Sequence, residues 1–238
     1  MLSITPMAIT SSKRKTDSGY IVFFDLDHTL TWEVSGRLIA IEAFRRNLLP
    51  PSTLFKALFL QIFFKLKLLN PVAIMHEMTR WMKDLPEEIL VEICEDIVRK
   101  SILPSIFPEA VNELKKHKSM GAFTVLLSST IRPVCEAVSR GLDIDDILCT
   151  ELEISDRRFT GRPDGGFCYG AGKAEKMRFY CEKNNRSLQS AWYYGDSLSD
   201  LPVFRIVGNP VCVNPGEKLK KLANAEGWII NYWHKKGK

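Results

Sequence analysis

The feature that most constrains the fold is a series of short apolar runs that alternate with helical stretches. Each run is rich in aromatic and β-branched residues, which is typical of a strand buried on both faces. Strands that alternate with helices predict a parallel sheet that carries helices on both sides. We therefore expect an α/β fold built on a doubly wound parallel sheet, with strands near residues 20–24, 123–127, 147–149, 191–194, 211–213 and 228–230.

One stretch, residues 35–104, breaks this alternation, because it shows helical periodicity and prolines but no strand pattern. We expect about four helices there, inserted after the first strand as a helical cap. Residues 20–34 and 105–238 then form the α/β core, and residues 1–19, which are rich in Ser and Thr, form a flexible lead-in.

The segment 54–69 inside the predicted cap is unusually apolar. Its lysines argue against a transmembrane span. One interpretation is a helix buried within the cap. The other is an interfacial helix or an apolar wall that faces the substrate.

Composition limits the partners and the compartment. The net charge is +5, but Lys and Arg are mostly interleaved with acidic residues, so we expect no nucleic-acid binding. Six cysteines and four histidines lack the spacing of a zinc site. Free thiols indicate a reducing compartment, so we expect a cytoplasmic protein, with peripheral membrane contact as an alternative. The sequence does not specify an oligomeric state.

Two carboxylates, Asp25 and Asp27, directly follow the first predicted strand. Alternate residues of a strand point the same way, so these side chains start out close together. Such a pair is unfavourable unless a divalent cation neutralises it. The pattern alone is weak evidence, because a surface turn capped by Thr29 would look the same.

Hydroxyl side chains follow the second predicted strand at Ser128, Ser129 and Thr130. Hydroxyl and backbone N–H groups at such a position can hold phosphate oxygens. They can equally act as a simple cap for the helix that begins near residue 132.

A single lysine, Lys173, lies at the start of another predicted helix, after Gly170 and Gly172. A P-loop is excluded, because Phe167 stands where its first glycine is required and Ala174 where Ser or Thr is required. What remains is one basic side chain delivered by a flexible glycine turn.

The run at residues 191–194 leads into Gly195 and Asp196, and Asp200 follows four residues later. Glycine allows a sharp turn that exposes Asp196. Reactive groups collect at the carboxyl ends of parallel strands, which predicts a shared site for these carboxylates. A surface acidic loop is the alternative for this pattern taken by itself.

Together and in this order, these motifs resemble the haloacid-dehalogenase superfamily of phosphohydrolases. The resemblance covers nearly the whole chain after residue 19. Asp25 and Ser128 are 103 positions apart, which leaves room for an inserted cap, whereas Ser128 and Lys173 are only 45 apart. That layout is similar to subfamily IB, the phosphoserine-phosphatase-like hydrolases, and implies a Rossmann-like core.

The resemblance implies a role for each residue. Asp25 is the nucleophile that forms an aspartyl-phosphate, and Asp27 is the general acid and base. Mg²⁺ is held by Asp25, the backbone carbonyl of Asp27 and Asp196, and Asp200 supports its water shell. The remaining phosphate oxygens are bound by Ser128, Ser129 and Lys173.

The substrate is less defined. Phosphoserine phosphatases carry a glutamate nine residues after the nucleophile, where this chain has Val34, and glycines follow their second-motif serine. Both differences weaken phosphoserine as the substrate, and Trp32 and Glu33 are candidate specificity residues. We expect a small phosphorylated metabolite. The alternatives are a membrane-surface lipid-phosphate phosphatase, similar to those acting on phosphatidylglycerol phosphate, and an inactive binding domain.

Overall fold

A computed structural model describes residues 19–49 and 71–235 of the chain. Its strands form one seven-stranded sheet in the order β4-β3-β2-β1-β5-β6-β7. All neighbouring strands are parallel except β3 and β4, which are antiparallel. The strands are β1 (Ile21–Phe24), β2 (Phe123–Ile131), β3 (Asp146–Ser155), β4 (Arg158–Asp164), β5 (Trp192–Gly195), β6 (Asn209–Val213) and β7 (Ile229–Asn231).

Eight α-helices accompany the sheet in the described residues, with a π-helical turn, Val98–Ile102, and two 3₁₀ turns, Leu103–Ser105 and Leu198–Asp200. The α-helices are α1 (Ser35–Arg45), α2 (Pro71–Arg80), α3 (Glu87–Ile97), α4 (Pro108–Ser119), α5 (Arg132–Leu142), α6 (Ala171–Lys183), α7 (Leu201–Phe204) and α8 (Glu217–Glu226).

The central strand β1 shows why the sheet is doubly wound. All four of its residues are buried, and successive side chains enter opposite layers. Val22 and Phe24 join one buried cluster, and Ile21 and Phe23 join another. A strand with apolar side chains on both faces is stable only between two helical layers, so the predicted α/β architecture is confirmed.

The sheet departs from the sequence prediction at β3 and β4. The predicted strand at residues 147–149 extends to Ser155, and β4 returns beside it as an antiparallel edge strand. A two-residue turn joins them, formed by Asp156 and Arg157, which both have positive φ. This hairpin was not predicted.

The predicted cap region supplies α1, α2 and α3. In this part of the chain α3 packs on α5, and its Leu90, Cys94 and Ile97 belong to the same buried cluster as Leu126 of β2. The division of the chain into core and cap stays a prediction. The apolar segment 54–69 lies outside the described residues, as does most of the lead-in.

Two further expectations can be compared with the structure. All six cysteines are buried and none forms a disulfide, which agrees with the expected free thiols. In the two described stretches, no helix combines the length and the apolar character needed to cross a bilayer.

Candidate active site

The three central strands bring the predicted motifs to one edge of the sheet. β1 lies between β2 and β5 and is parallel to both. Asp25 follows the last residue of β1, Ser128 lies in the second half of β2, and Asp196 follows the last residue of β5. Side chains at the carboxyl ends of neighbouring parallel strands line one crevice. Sheets of this kind bind their ligands in that crevice.

Asp25 is a buried carboxylate with a cationic partner. Only 8% of the residue is exposed, and one carboxylate oxygen, Oδ1, lies 3.0 Å from Nζ of Lys173. Burial raises the pKa of Asp25 to about 7, the Lys173 ammonium opposes that rise, and the charge of Asp200 adds to it.

Lys173 reaches this site because the backbone before α6 bends sharply. Gly170 precedes the helix with φ of 56° and ψ of −120°, a conformation available to glycine but not to residues with a Cβ. Lys173 is then only 2% exposed, and its Nζ also contacts Oδ1 of Asp200 at 2.9 Å. Burial disfavours the ammonium, but Asp200 and Asp25 outweigh that effect and hold the pKa of Lys173 well above its usual range.

Three carboxylates, those of Asp25, Asp196 and Asp200, present oxygens within 4.8 Å of one another. Burial, together with the charges of Asp25 and Asp200, raises the pKa of Asp196 to about 8. The Lys173 ammonium offsets only part of this negative charge. Oxygen donors in an electron-rich, buried cluster suit a hard divalent cation, so these residues could hold a metal ion.

The side chain of Asp27 is turned towards α1. Its two oxygens accept hydrogen bonds from the backbone N–H of Ser35 (3.0 Å) and from the Ser35 hydroxyl (2.9 Å). The same hydroxyl lies 2.8 Å from Oγ1 of Thr130 in β2. Burial raises the pKa of Asp27, and the Ser35 bonds, which favour the anion, oppose that shift.

The hydroxyl motif lies inside β2. Ser128 is 1% exposed, and its Oγ accepts the N–H of Thr130 at 3.3 Å. Ser129 is half-buried, and its carbonyl accepts a hydrogen bond from the Thr150 hydroxyl. Ile131 precedes α5, and that helix has no side-chain N-cap bond, so the alternative of a simple helix cap is not supported.

Trp32 and Glu33 are held by contacts away from the carboxylate cluster. The Trp32 ring packs edge-on against Phe107 at 5.6 Å between ring centroids. The Glu33 carboxylate forms an i,i+4 ion pair with Arg37 at 2.6 Å. Their role in specificity stays a prediction.

Two contacts in the site escaped the sequence analysis. Ser35 looks like an ordinary first residue of a helix, and nothing in its neighbourhood indicates that it binds Asp27. Tyr193 looks like a buried strand residue, yet its hydroxyl lies 2.8 Å from Nζ of Lys173. The one signal in the sequence is that Tyr193 lies two residues before Gly195, because alternate residues of a strand share one face.

Comparison with known proteins supplies independent findings. A family model described as haloacid dehalogenase-like hydrolase matches residues 22–205. A probable phosphatase of Mycobacterium tuberculosis is 28% identical over 215 residues, covering 87% of this chain and 73% of that protein. A histidinol-phosphatase of Neisseria meningitidis is 34% identical over 155 residues, covering 61% of this chain and 68% of that protein.

The fold has a close match among solved structures as well. The structure of a phospho-aspartyl intermediate analogue of phosphoserine phosphatase superposes with a TM-score of 0.66. It covers 90% of this chain and 93% of its own at 19% sequence identity. At that identity the match concerns the fold.

Proposed function

The chain belongs to the haloacid dehalogenase-like hydrolases, and from this we propose that it hydrolyses a small phosphate monoester through an aspartyl-phosphate on Asp25. It is a phosphoric monoester hydrolase, as the phosphatases among its relatives indicate. The observation that carries the assignment is the buried cluster in which Asp25 meets Lys173, Asp196 and Asp200 at the carboxyl edge of the sheet.

Asp25 is the nucleophile in this proposal. Its position directly after the rigid strand β1 fixes its direction of approach, and its contact with Lys173 favours the anion that attacks phosphorus. One carboxylate oxygen forms a bond to phosphorus while the bond between phosphorus and the ester oxygen breaks. The product of this step is the acyl-phosphate.

Asp27 transfers the protons. Burial raises its pKa and so favours the protonated acid that donates to the departing ester oxygen. The resulting carboxylate then takes a proton from the water that attacks the acyl-phosphate, which releases phosphate and regenerates Asp25. Ser35 holds Asp27 during the cycle, because its two donors favour the anion that exists between these steps.

The phosphate oxygens are bound by Ser128, Ser129 and Lys173. Lys173 acts as a point charge, and the hydroxyl and N–H groups of β2 donate hydrogen bonds. A Mg²⁺ ion held by Asp25, Asp196 and the Asp27 carbonyl, with Asp200 behind it, would supply positive charge that offsets the charge of the phosphoryl group. The three clustered carboxylates are the observation that supports this cation.

The substrate we propose is a small phosphorylated metabolite other than phosphoserine. Val34 stands where a glutamate would read the substrate ammonium, and the neighbouring Glu33 is already paired with Arg37. The relatives' names include a histidinol-phosphatase, so histidinol phosphate is a reasonable first compound to assay. The interpretation as a lipid phosphatase depended on residues 54–69, which the structure does not describe.

The test is hydrolysis of p-nitrophenyl phosphate in the presence of Mg²⁺ by the wild type, by Asp25→Asn and by the matched control Asp156→Asn. Asp156 lies in an exposed turn between β3 and β4. We expect activity in the wild type and the control and no more than a trace in Asp25→Asn, with all three folded by circular dichroism. A well-folded Asp25→Asn protein that retains turnover contradicts the covalent mechanism.

Histidinol phosphate, phosphoserine and glycerol phosphate, assayed at matched concentrations, then address the substrate. We expect phosphoserine to be a poor substrate compared with the best of the panel. Phosphoserine as the preferred ester would contradict the argument from Val34.

A further inference from the structure

Lys173 makes three polar contacts, and the third is with a tyrosine. An ammonium group has three N–H donors. Nζ lies 3.0 Å from Asp25, 2.9 Å from Asp200 and 2.8 Å from the hydroxyl of Tyr193. These three acceptors match the donor capacity of the lysine, so together they determine the orientation of its ammonium group.

Tyr193 is held rigidly. It is fully buried in β5, and its ring packs edge-to-face against Phe204 at 5.2 Å between centroids. It also lies against Gly195, where an added Cβ would come within 2.7 Å of the tyrosine ring and 2.9 Å of its hydroxyl. The hydroxyl is therefore a fixed acceptor, and glycine at position 195 makes room for it.

The three acceptors of Lys173 are not equivalent. Asp25 and Asp200 are acids, whereas burial together with the charge of Asp200 keeps the tyrosine hydroxyl protonated and neutral.

We propose that Tyr193 is a positioning residue for catalysis: its hydroxyl holds the third N–H of Lys173 and so aims the ammonium at Asp25 and the incoming phosphate. This inference rests on the proposed function, because it assigns Lys173 to the phosphate. Without the hydroxyl, one buried N–H loses its acceptor, and the ammonium shifts away from the geometry that serves the transition state.

Tyr193→Phe is the test, because it removes one oxygen and keeps the packed ring. With p-nitrophenyl phosphate and Mg²⁺, we expect kcat to fall about tenfold while KM changes less than about threefold. The reason is that the lost hydrogen bond stabilises the transition state more than the bound substrate. Tyr194→Phe is the matched control. It lies on the same strand, but its hydroxyl bonds to Glu113 and His117 in the opposite layer, so kcat should stay within about twofold of the wild type.

A double-mutant cycle with Lys173→Arg shows whether Tyr193 acts through the lysine. If it does, Tyr193→Phe should change kcat by less than about twofold in the Lys173→Arg background, because coupled residues are non-additive. An equal loss in both backgrounds, or a Tyr193→Phe enzyme as active as the wild type, overturns the proposal.

These outcomes are separable from failure of the proposed function itself. If the wild type hydrolyses the ester and Asp25→Asn does not, the function stands, and the Tyr193 series reports on positioning alone. If the wild type is inactive, or Asp25→Asn is active, the function and this inference are both wrong. A lower melting temperature of Tyr193→Phe with unchanged kcat indicates a purely structural hydroxyl and also overturns the inference.

Discussion

The carboxylate cluster should make the metal-free protein less stable than a variant that lacks one of its charges. Folding raises the pKa of Asp25 from its ordinary value of 3.8 to about 7, chiefly by burial. The folded chain therefore binds more protons than the unfolded chain in the window from 3.8 to about 7, and the free energy of unfolding falls as pH rises through that window.

The size of the destabilisation follows from the difference between the two pKa values. A pKa difference of about 3 between the folded and unfolded states corresponds to about 4 kcal/mol, at about 1.4 kcal/mol per pKa unit. The pKa of about 7 already includes the opposing effect of Lys173, so Asp25→Asn should stabilise the metal-free protein at pH 8 by up to about 4 kcal/mol. For a chain of this size, that gain raises the melting temperature by about 8–16 °C.

The assay is thermal unfolding in EDTA at about pH 5 and about pH 8, followed by circular dichroism. We expect Asp25→Asn to melt above the wild type at pH 8, with a smaller gap at pH 5, where Asp25 is largely protonated in the folded state. Excess Mg²⁺ should stabilise the wild type more than the variant, because the cation binds the folded carboxylates.

Asp156→Asn is the control for an exposed carboxylate and should show no such pH-dependent gain. An Asp25→Asn protein that melts at or below the wild type in EDTA at pH 8 would refute the argument. So would a gain of equal size at both pH values, because a difference that does not depend on pH cannot come from ionisation of Asp25.

Three further predictions concern the metal ion, the proton donor and the apolar segment 54–69. Asp196→Ala should raise the Mg²⁺ concentration for half-maximal activity at least about tenfold. EDTA should abolish the activity of the wild type, and Ca²⁺ should inhibit it. Rates that do not depend on added metal contradict the cation assignment. Ser35→Ala removes a donor that favours the Asp27 anion, so the pKa of Asp27 should rise and the corresponding limb of the kcat–pH profile should move to higher pH; an unshifted profile contradicts this. Leu58→Glu should lower the melting temperature without changing the ratio of kcat/KM for short-chain and long-chain esters; a changed ratio at constant melting temperature favours the cleft or membrane interpretation of residues 54–69.

Much of the fold could be predicted because its strands are buried on both faces. β1 and β5 are short, aromatic or β-branched, and followed at once by acidic residues. The hairpin of β3 and β4 lacks those signals. β4 is an edge strand that contains Gly161 and Pro163, and only Phe159 and Gly161 are buried in it. Its two-residue turn uses Asp156 and Arg157 with positive φ, without the glycine that usually marks such a turn.

The candidate site, like the fold, could be predicted only in part. Asp25, Asp196 and Lys173 could be predicted because each follows a buried strand or a glycine turn, and topology alone brings such positions together. The partner of each side chain could not be predicted. Asp27 and Ser35 are eight residues apart, and whether the Asp27 side chain faces the carboxylate cluster or α1 depends on how α1 leaves the core. Tyr193 and Lys173 are twenty residues apart and meet because α6 and the face of β5 that carries Tyr193 contribute to the same buried cluster.

The position of Asp27 connects the predicted cap to the chemistry. Ser35 is the first residue of α1, and its hydroxyl contacts both Asp27 and Thr130 of β2. Both Asp27 oxygens accept hydrogen bonds from Ser35, and these bonds favour the anion, whereas burial favours the acid and sets the direction in which the pKa of Asp27 moves. Because both donors belong to the first residue of α1, the position of that helix sets how strongly the Asp27 anion is stabilised and so how far the pKa of the proton donor rises.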